Sequence, residues 1–204
     1  MQAKAREVCV PPVLQDLRAG TAELHIALEK RLPFFSDTLD AQAFERLMQA
    51  YYGFYLPLES ALQSSGSVPD DFDLTPRLKT HTLRGDLLAL GLASEVLETL
   101  PVCDQLPVID SAAASLGVLY VLEGATLGGQ ILRREISVRL GLEAANGAAF
   151  LYVYGAATGR HWRDFIEYLG NRPMDADECQ AVVIAAQSTF SCFERWLESR
   201  EVLA

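Results

Sequence analysis

Apolar residues recur along the chain at three- and four-residue intervals, the spacing of one face of an α-helix, and strand-like alternation is rare. A first helix is predicted from about Val13 to Arg31, with a stripe of Leu14, Leu17, Thr21, Leu24 and Leu28. Pro11 and Pro12 lead into it and Pro33 stops it. A second begins after Asp40, whose side chain suits an N-cap. Its stripe is Phe44, Leu47, Met48, Tyr51, Tyr55, Leu58 and Leu62, and Pro57 predicts a kink. After the loop "SSGSVPDDFD", Thr75-Pro76 opens a third helix to about Gly91, and a short one from about Ala93 to Leu100 follows. Asp110 or Ser111 caps a fourth helix, which reaches Leu140 and stops at Gly141. "ANGAAFLYVYGAATG" is apolar but irregular. A fifth helix runs from about Gly159 to Leu169. The last begins near Asp175, with a stripe of Cys179, Val183, Ala186, Phe190, Phe193 and Leu197. The pattern predicts an all-α bundle of six or more helices.

The fourth helix poses a problem. It carries Gly117, Gly124, Gly128 and Gly129, and each Gly in a helix costs roughly 1 kcal/mol relative to Ala. Something must offset that loss: close approach of another backbone, a bulky ligand, or a bend. At about 45 Å the helix is long for a small domain, and the glycines are the expected place for a kink. Gly117, Gly124 and Gly128 share one face. The apolar run from Ala112 to Leu122 is too short to span a bilayer and reads as a buried core helix.

Half of the 204 residues are hydrophobic, enough for one core, so a single domain over residues 1–204 is expected, with 1–12 a flexible N-terminal segment. The formal net charge of −10 argues against nucleic-acid binding. The N-terminus lacks the apolar run of a secretory signal. Cys9, Cys103, Cys179 and Cys192 form no metal or disulfide pattern. A cytoplasmic protein with no membrane attachment is the expectation.

Of three histidines, His81 and His161 lie near helix starts and read as surface or capping residues. His25 is different. It lies mid-helix, with Thr21 and Glu29 one turn before and after on the same side, beside the apolar stripe. The imidazole is expected to face the core. It is either a satisfied core histidine or a metal ligand whose tautomer a neighbouring carboxylate sets. Arg18, two turns earlier, lies about 10 Å along the helix and suits an anionic group. An inward His on one helix and a glycine surface on another would together accommodate a flat, large cofactor such as haem, with space left for a gas.

The stretches "LRAGTAELHIALEK" and "LYVLEGATLGGQIL", supported by "YYGFYLPLE" and "GRHWRDFIEYL", resemble the haem oxygenase family over nearly the whole chain. The wording is closest to bacterial enzymes that accompany phytochromes. The resemblance implies a haem-oxygenase-like bundle with haem between the first helix and a kinked, glycine-rich distal helix. It implies that haem is both substrate and cofactor, degraded with O2 and electrons to biliverdin, CO and ferrous iron. His25 matches the proximal iron ligand, within the family's Thr-x-x-x-His-x-x-x-Glu pattern of Thr21, His25 and Glu29. Gly124, Gly128 and Gly129, followed by Gln130, match the distal motif and are the catalytic candidates. Arg18 matches a basic position facing the haem propionates, and Arg163 is a weaker match. Tyr55, and Tyr52 beside it, are candidate pocket residues. The implied partners are an electron-donating reductase or ferredoxin and a bacterial phytochrome that takes up the bilin. Arg133 and Arg134 are either a solvated face or a dock for an acidic donor.

The chain departs from the family pattern at Ala125. Animal enzymes and some bacterial ones carry Asp there, which organises the waters that protonate bound oxygen, and Ala cannot polarise water. Other readings of the same residues are a haem carrier or sensor without turnover, a di-iron oxidase, or a thiaminase-like hydrolase. The last two lack a Glu-x-x-His pair and an evident cysteine cluster, respectively.

Overall fold

Seven α-helices and four short 3-10 turns order residues 11–204, the residues described by this computed structural model, and there are no strands among them. The helices are α1 (Pro12–Arg31), α2 (Ala41–Ser64), α3 (Thr80–Ala89), α4 (Ser94–Leu97), α5 (Ala112–Leu140), α6 (Thr158–Asn171) and α7 (Ala176–Ser199). Residues 1–10 of the expected flexible N-terminal segment lie outside the described residues, whereas Pro11 is the N-cap residue of α1 and Pro12 already belongs to that helix.

Local chemistry accounts for most boundaries. Asp40 caps α2 by accepting from the Ala43 amide at 2.7 Å, and Ser111 caps α5 through the Ala114 amide at 3.1 Å. Asp175 and Glu178 form a reciprocal capping box at the start of α7. Gly141 ends α5 in the left-handed conformation, φ 68°. Pro57 lies inside α2 and the helix continues past it to Ser64. The glycine-rich helix α5 is likewise continuous in its backbone pattern from Ala112 to Leu140.

The third predicted helix is divided. Thr75–Arg77 forms a 3-10 turn, and α3 begins only at Thr80. The chain leaves the helix at Leu78 because the Lys79 and Thr80 amides donate to the buried Glu59 carboxylate on α2, at 2.7 and 3.0 Å. Those bonds compete with helix continuation.

α5 is the central element. It packs along α7, which in turn packs along α1, and it contacts α6 and the Phe150–Tyr152 turn. Its most apolar window is 61% buried within the fold, as befits a core helix. One contiguous core joins Leu14 and Leu17 of α1, Phe44 to Leu62 of α2, Leu116 to Leu122 of α5 and Val182 to Leu197 of α7.

Candidate active site

A cavity of about 480 Å³ lies between α1 and the middle of α5, closed by α2, the Phe150–Leu151 turn, Trp162 of α6 and Thr189, Phe190 and Phe193 of α7. Its lining is mostly aliphatic and aromatic, with few polar groups, as expected of a small-molecule site.

α1 supplies one wall with Arg18, Thr21, His25 and Glu29, all on the side predicted. The expectation that His25 looks into a closed core is corrected. Its side chain is 62% exposed, because the cleft beside it is open rather than filled by protein. The ring meets Phe190 edge-on, 6.1 Å between centroids. Nδ1 lies 3.8 Å from the Glu29 carboxylate, beyond direct hydrogen-bond range but within reach of a bridging water. With that nitrogen turned to Glu29, Nε2 is the free ligand position. Thr21 is buried and donates back to the Leu17 carbonyl at 2.7 Å.

α5 supplies the facing wall, and its glycines divide into two kinds. A side chain at Gly128 would meet nothing within 4 Å, and one at Gly124 would meet only Trp162, at 3.6 Å. These two leave open space at the cavity. Gly129 also borders it, but a Cβ there would run into the Leu151 carbonyl. Gly117 lies on the predicted face yet one level too far along: a Cβ there would strike the Val182 carbonyl of α7. Gly117 and Gly129 therefore serve backbone contact, and only Gly124 and Gly128 leave their side-chain positions open or nearly open. Ala125 is exposed and lines the cavity without any acid in its place.

Tyr55 lines the cavity, whereas Tyr52 is buried elsewhere in the core. Arg163 does not reach the site. It is exposed and donates to the Gly159 carbonyl, and its neighbour Trp162 is the α6 residue that turns inward. His161 is also outside, stacked on Tyr154 at 4.1 Å, and His81 is exposed beside Thr82.

The sequence reading overlooked Tyr120 and Tyr51. Tyr120 precedes Gly124 and Gly128 at four-residue steps, so it shares their face and could have been found from that spacing. Burial pushes its phenol up, while Thr21 and the Arg18 charge oppose the shift. Tyr51 stacks on Tyr55 at 6.3 Å and also borders the cavity. Burial raises both phenols, and the charges of Glu59 and Glu123 reinforce this at Tyr55.

The mouth is apolar too. Ile26, Phe35, Leu127 and Ile131 all line the cavity and are 42–66% exposed. Arg18 is the one Lys or Arg among its described lining residues. The site thus suits a broad apolar ligand that covers this rim and carries negative charge at the Arg18 end.

Residues 12–199 match the protein-family model described as "Heme oxygenase". The chain belongs to the haem oxygenase family. It is accordingly a haem-cleaving oxygenase. Its fold is shared with a haem oxygenase from Leptospira interrogans, at TM-score 0.73 and 19% identity, covering 92% of this chain and 98% of that one. The NO- and CO-bound haem oxygenase of Neisseria meningitidis superposes at TM-score 0.73 and 19% identity, covering 96% and 94% of the two chains. Haem oxygenase-1 of Synechocystis sp. PCC6803, solved with heme, superposes at TM-score 0.70 and 16% identity, covering 92% and 91%. Among curated proteins no sequence matches significantly.

Proposed function

We propose that the cavity between α1 and α5 binds haem as substrate and that the chain, as one haem oxygenase domain in the cytoplasm, converts it to biliverdin, CO and ferrous iron. One observation carries this reading: His25 on one wall faces, across a single apolar cavity, the two glycines whose side-chain direction is open or nearly so. When bound, haem supplies both the iron at which oxygen is activated and the carbon skeleton that is cut.

The residues of the chain then have separable roles. His25 Nε2 holds the iron, and Glu29 orients the imidazole through the other nitrogen. Arg18, with Tyr120 beside it, receives the propionates and so fixes which way round the ring lies. Gly124 and Gly128 leave space on the opposite face, and Gly129 lets the helix approach the Leu151 turn. Tyr51, Tyr55, Phe150 and Phe193 exclude bulk water from the inner end. With Ala125 in the distal motif, proton delivery would have to run through waters held by other groups, and the hydroxyls of Tyr55, Tyr120 and Thr126 are among the polar side chains that line the cavity. Electrons come from an external reductase or ferredoxin, and a bacterial phytochrome is the proposed recipient of the bilin.

The test is direct. Haemin is added to the purified protein, the spectrum recorded, a reductant supplied under air and the pigment identified by chromatography. Biliverdin is the expected product. Stable binding with an intact macrocycle after reduction in air would instead identify a haem carrier.

A further inference from the structure

Immediately before Gly124, a carboxylate with no solvent contact is held by three donors from two separate segments of chain. Glu123 is 0% exposed and does not line the cavity. Lys79 Nζ donates to its Oε1 at 2.6 Å, and the Tyr154 hydroxyl donates to the same oxygen at 2.8 Å. The Arg77 guanidinium pairs with Oε2. Arg77 and Lys79 flank the break before α3, and Tyr154 comes from the turn between α5 and α6. Behind them, Glu59 of α2 accepts from the Lys79 and Thr80 amides and from the Thr80 hydroxyl. Two carboxylates and two cations balance, and no buried side-chain polar atom among the described residues lacks a partner.

Stability alone does not account for this cluster. Desolvating ion pairs is costly, and apolar side chains of similar volume often do as well or better. What the cluster adds is direction: three donors from two distant segments converge on one carboxylate. Direction is what the adjoining stretch lacks. Side chains ordinarily interlock to fix a helix's height and rotation. On the cavity side, Gly124 and Gly128 have no side chains to interlock.

We propose that Glu123 is a positioning residue, whose clamp to Arg77, Lys79 and Tyr154 sets the height and rotation of the Gly124–Gly129 stretch over the cavity. It thereby fixes the space left on the face of the substrate opposite His25. The effect on substrate rests on the reading that the cavity holds haem; the effect on the helix does not.

The double variant Glu123→Leu/Lys79→Met tests it, because it replaces the buried pair with apolar groups. Arg77 keeps other partners, over Phe72 at 5.0 Å and Phe165 at 5.7 Å. Both variant and wild type are labelled with 5-fluorotryptophan. The chain has two tryptophans, so two 19F signals report Trp162, which packs against Gly124, and Trp196, which does not. Expected for the haem-free variant is a melting temperature near wild type, a displaced Trp162 signal and an unmoved Trp196 signal. After reconstitution with haemin, cyanide affinity on the distal face should change roughly tenfold, the scale seen when groups supporting a metal site are lost. A Trp162 signal and cyanide affinity both identical to wild type would overturn the proposal. If the double variant fails to fold, Tyr154→Phe removes one donor without changing charge. It should displace the Trp162 signal in the same direction by less, and an unmoved signal there overturns the proposal as well. Failure of the wild-type protein to bind haemin would sink the site assignment instead, and would leave the 19F comparison standing.

Discussion

The carbonyl of Leu151 occupies the position where a side chain on Gly129 would begin. Gly128, one residue earlier and turned about 100° around the helix, has nothing within 4 Å of where its own side chain would begin. Two adjacent glycines in one helix thus answer to different demands, one to a backbone and one to a space.

Gly129→Ala should therefore destabilise the haem-free protein by roughly 1–3 kcal/mol through overpacking, despite the better helix propensity of Ala. Gly128→Ala should stabilise it by up to about 1 kcal/mol. Thermal or urea melts of the two haem-free variants check the contrast. Equal stabilities would mean that the Leu151 turn yields without cost.

How much of this was legible in the sequence follows from the range of the interactions involved. Helices with their own caps and stripes, such as α2 after Asp40 and α7 after Asp175, could be placed to within a residue or two. The line of Arg18, Thr21, His25 and Glu29 needed only helical spacing. The break at Leu78 could not be read locally, because it depends on Glu59, about twenty residues upstream. Gly117 and Gly124 look alike in sequence, and only the course of α7 and Trp162 tells them apart. The choice of Arg163 over Trp162 was a one-residue error in helical phase, about 100° of rotation, enough to send a side chain from the cavity to solvent. His25 lies on the predicted face, at the cavity. A periodic pattern marks which side of a helix turns inward, not whether protein or an open cleft lies there.

His25→Ala is expected to bind haemin without a protein-derived axial ligand and to lose nearly all turnover. The motivation is that His25 is the one histidine lining the cavity among the described residues. Added imidazole should partly restore the ferric spectrum. A wild-type spectrum and rate without imidazole would assign the ligand elsewhere. Because the side chain is largely exposed in the haem-free protein, the substitution should change haem-free stability by less than about 0.5 kcal/mol.

Arg18→Glu should weaken haemin affinity or alter the biliverdin isomer. Arg18 is the one guanidinium at the cavity among the described residues, and reversal would set a carboxylate against the propionates. Fluorescence quenching gives the affinity, and chromatography of the product gives the isomer. If neither changes, the propionates lie toward another end of the cleft.

Alkaline stability offers a test that needs no ligand. Burial holds the Tyr51 and Tyr55 phenols well above the usual tyrosine range, and partial burial together with a hydrogen bond to Asp71 pushes Tyr168 up to about 12. In the unfolded chain these phenols ionise near pH 10. Above that pH the unfolded state has released protons that the native state still holds, so native stability falls as pH rises. Their contribution is fully present below about pH 10 and is lost as pH climbs through the raised native values. Tyrosinate absorbance from these groups should accordingly appear together with the loss of helical circular dichroism. Ionisation of all seven tyrosines while the helices remain intact would contradict the burial of the cavity phenols.

Gly128→Leu separates a ligand site from a packing defect. Leu is the better helix former by nearly 1 kcal/mol. The direction of its Cβ is open, so the haem-free protein should fold and melt at or above the wild-type temperature. A Leu there would project into the space facing His25, between Gly124 and the mouth residue Ile131. Haemin binding should weaken, and biliverdin formation should fall steeply or shift in isomer, because the added branch occupies the space the second face of the ring requires. Thermal melts run beside single-turnover assays distinguish the possibilities. A large loss of haem-free stability would mean that the space is filled by protein in solution. Unchanged stability with normal haemin affinity, rate and isomer would mean that the substrate does not approach Gly128, and the distal wall would have to be drawn along Gly124 and Trp162 instead.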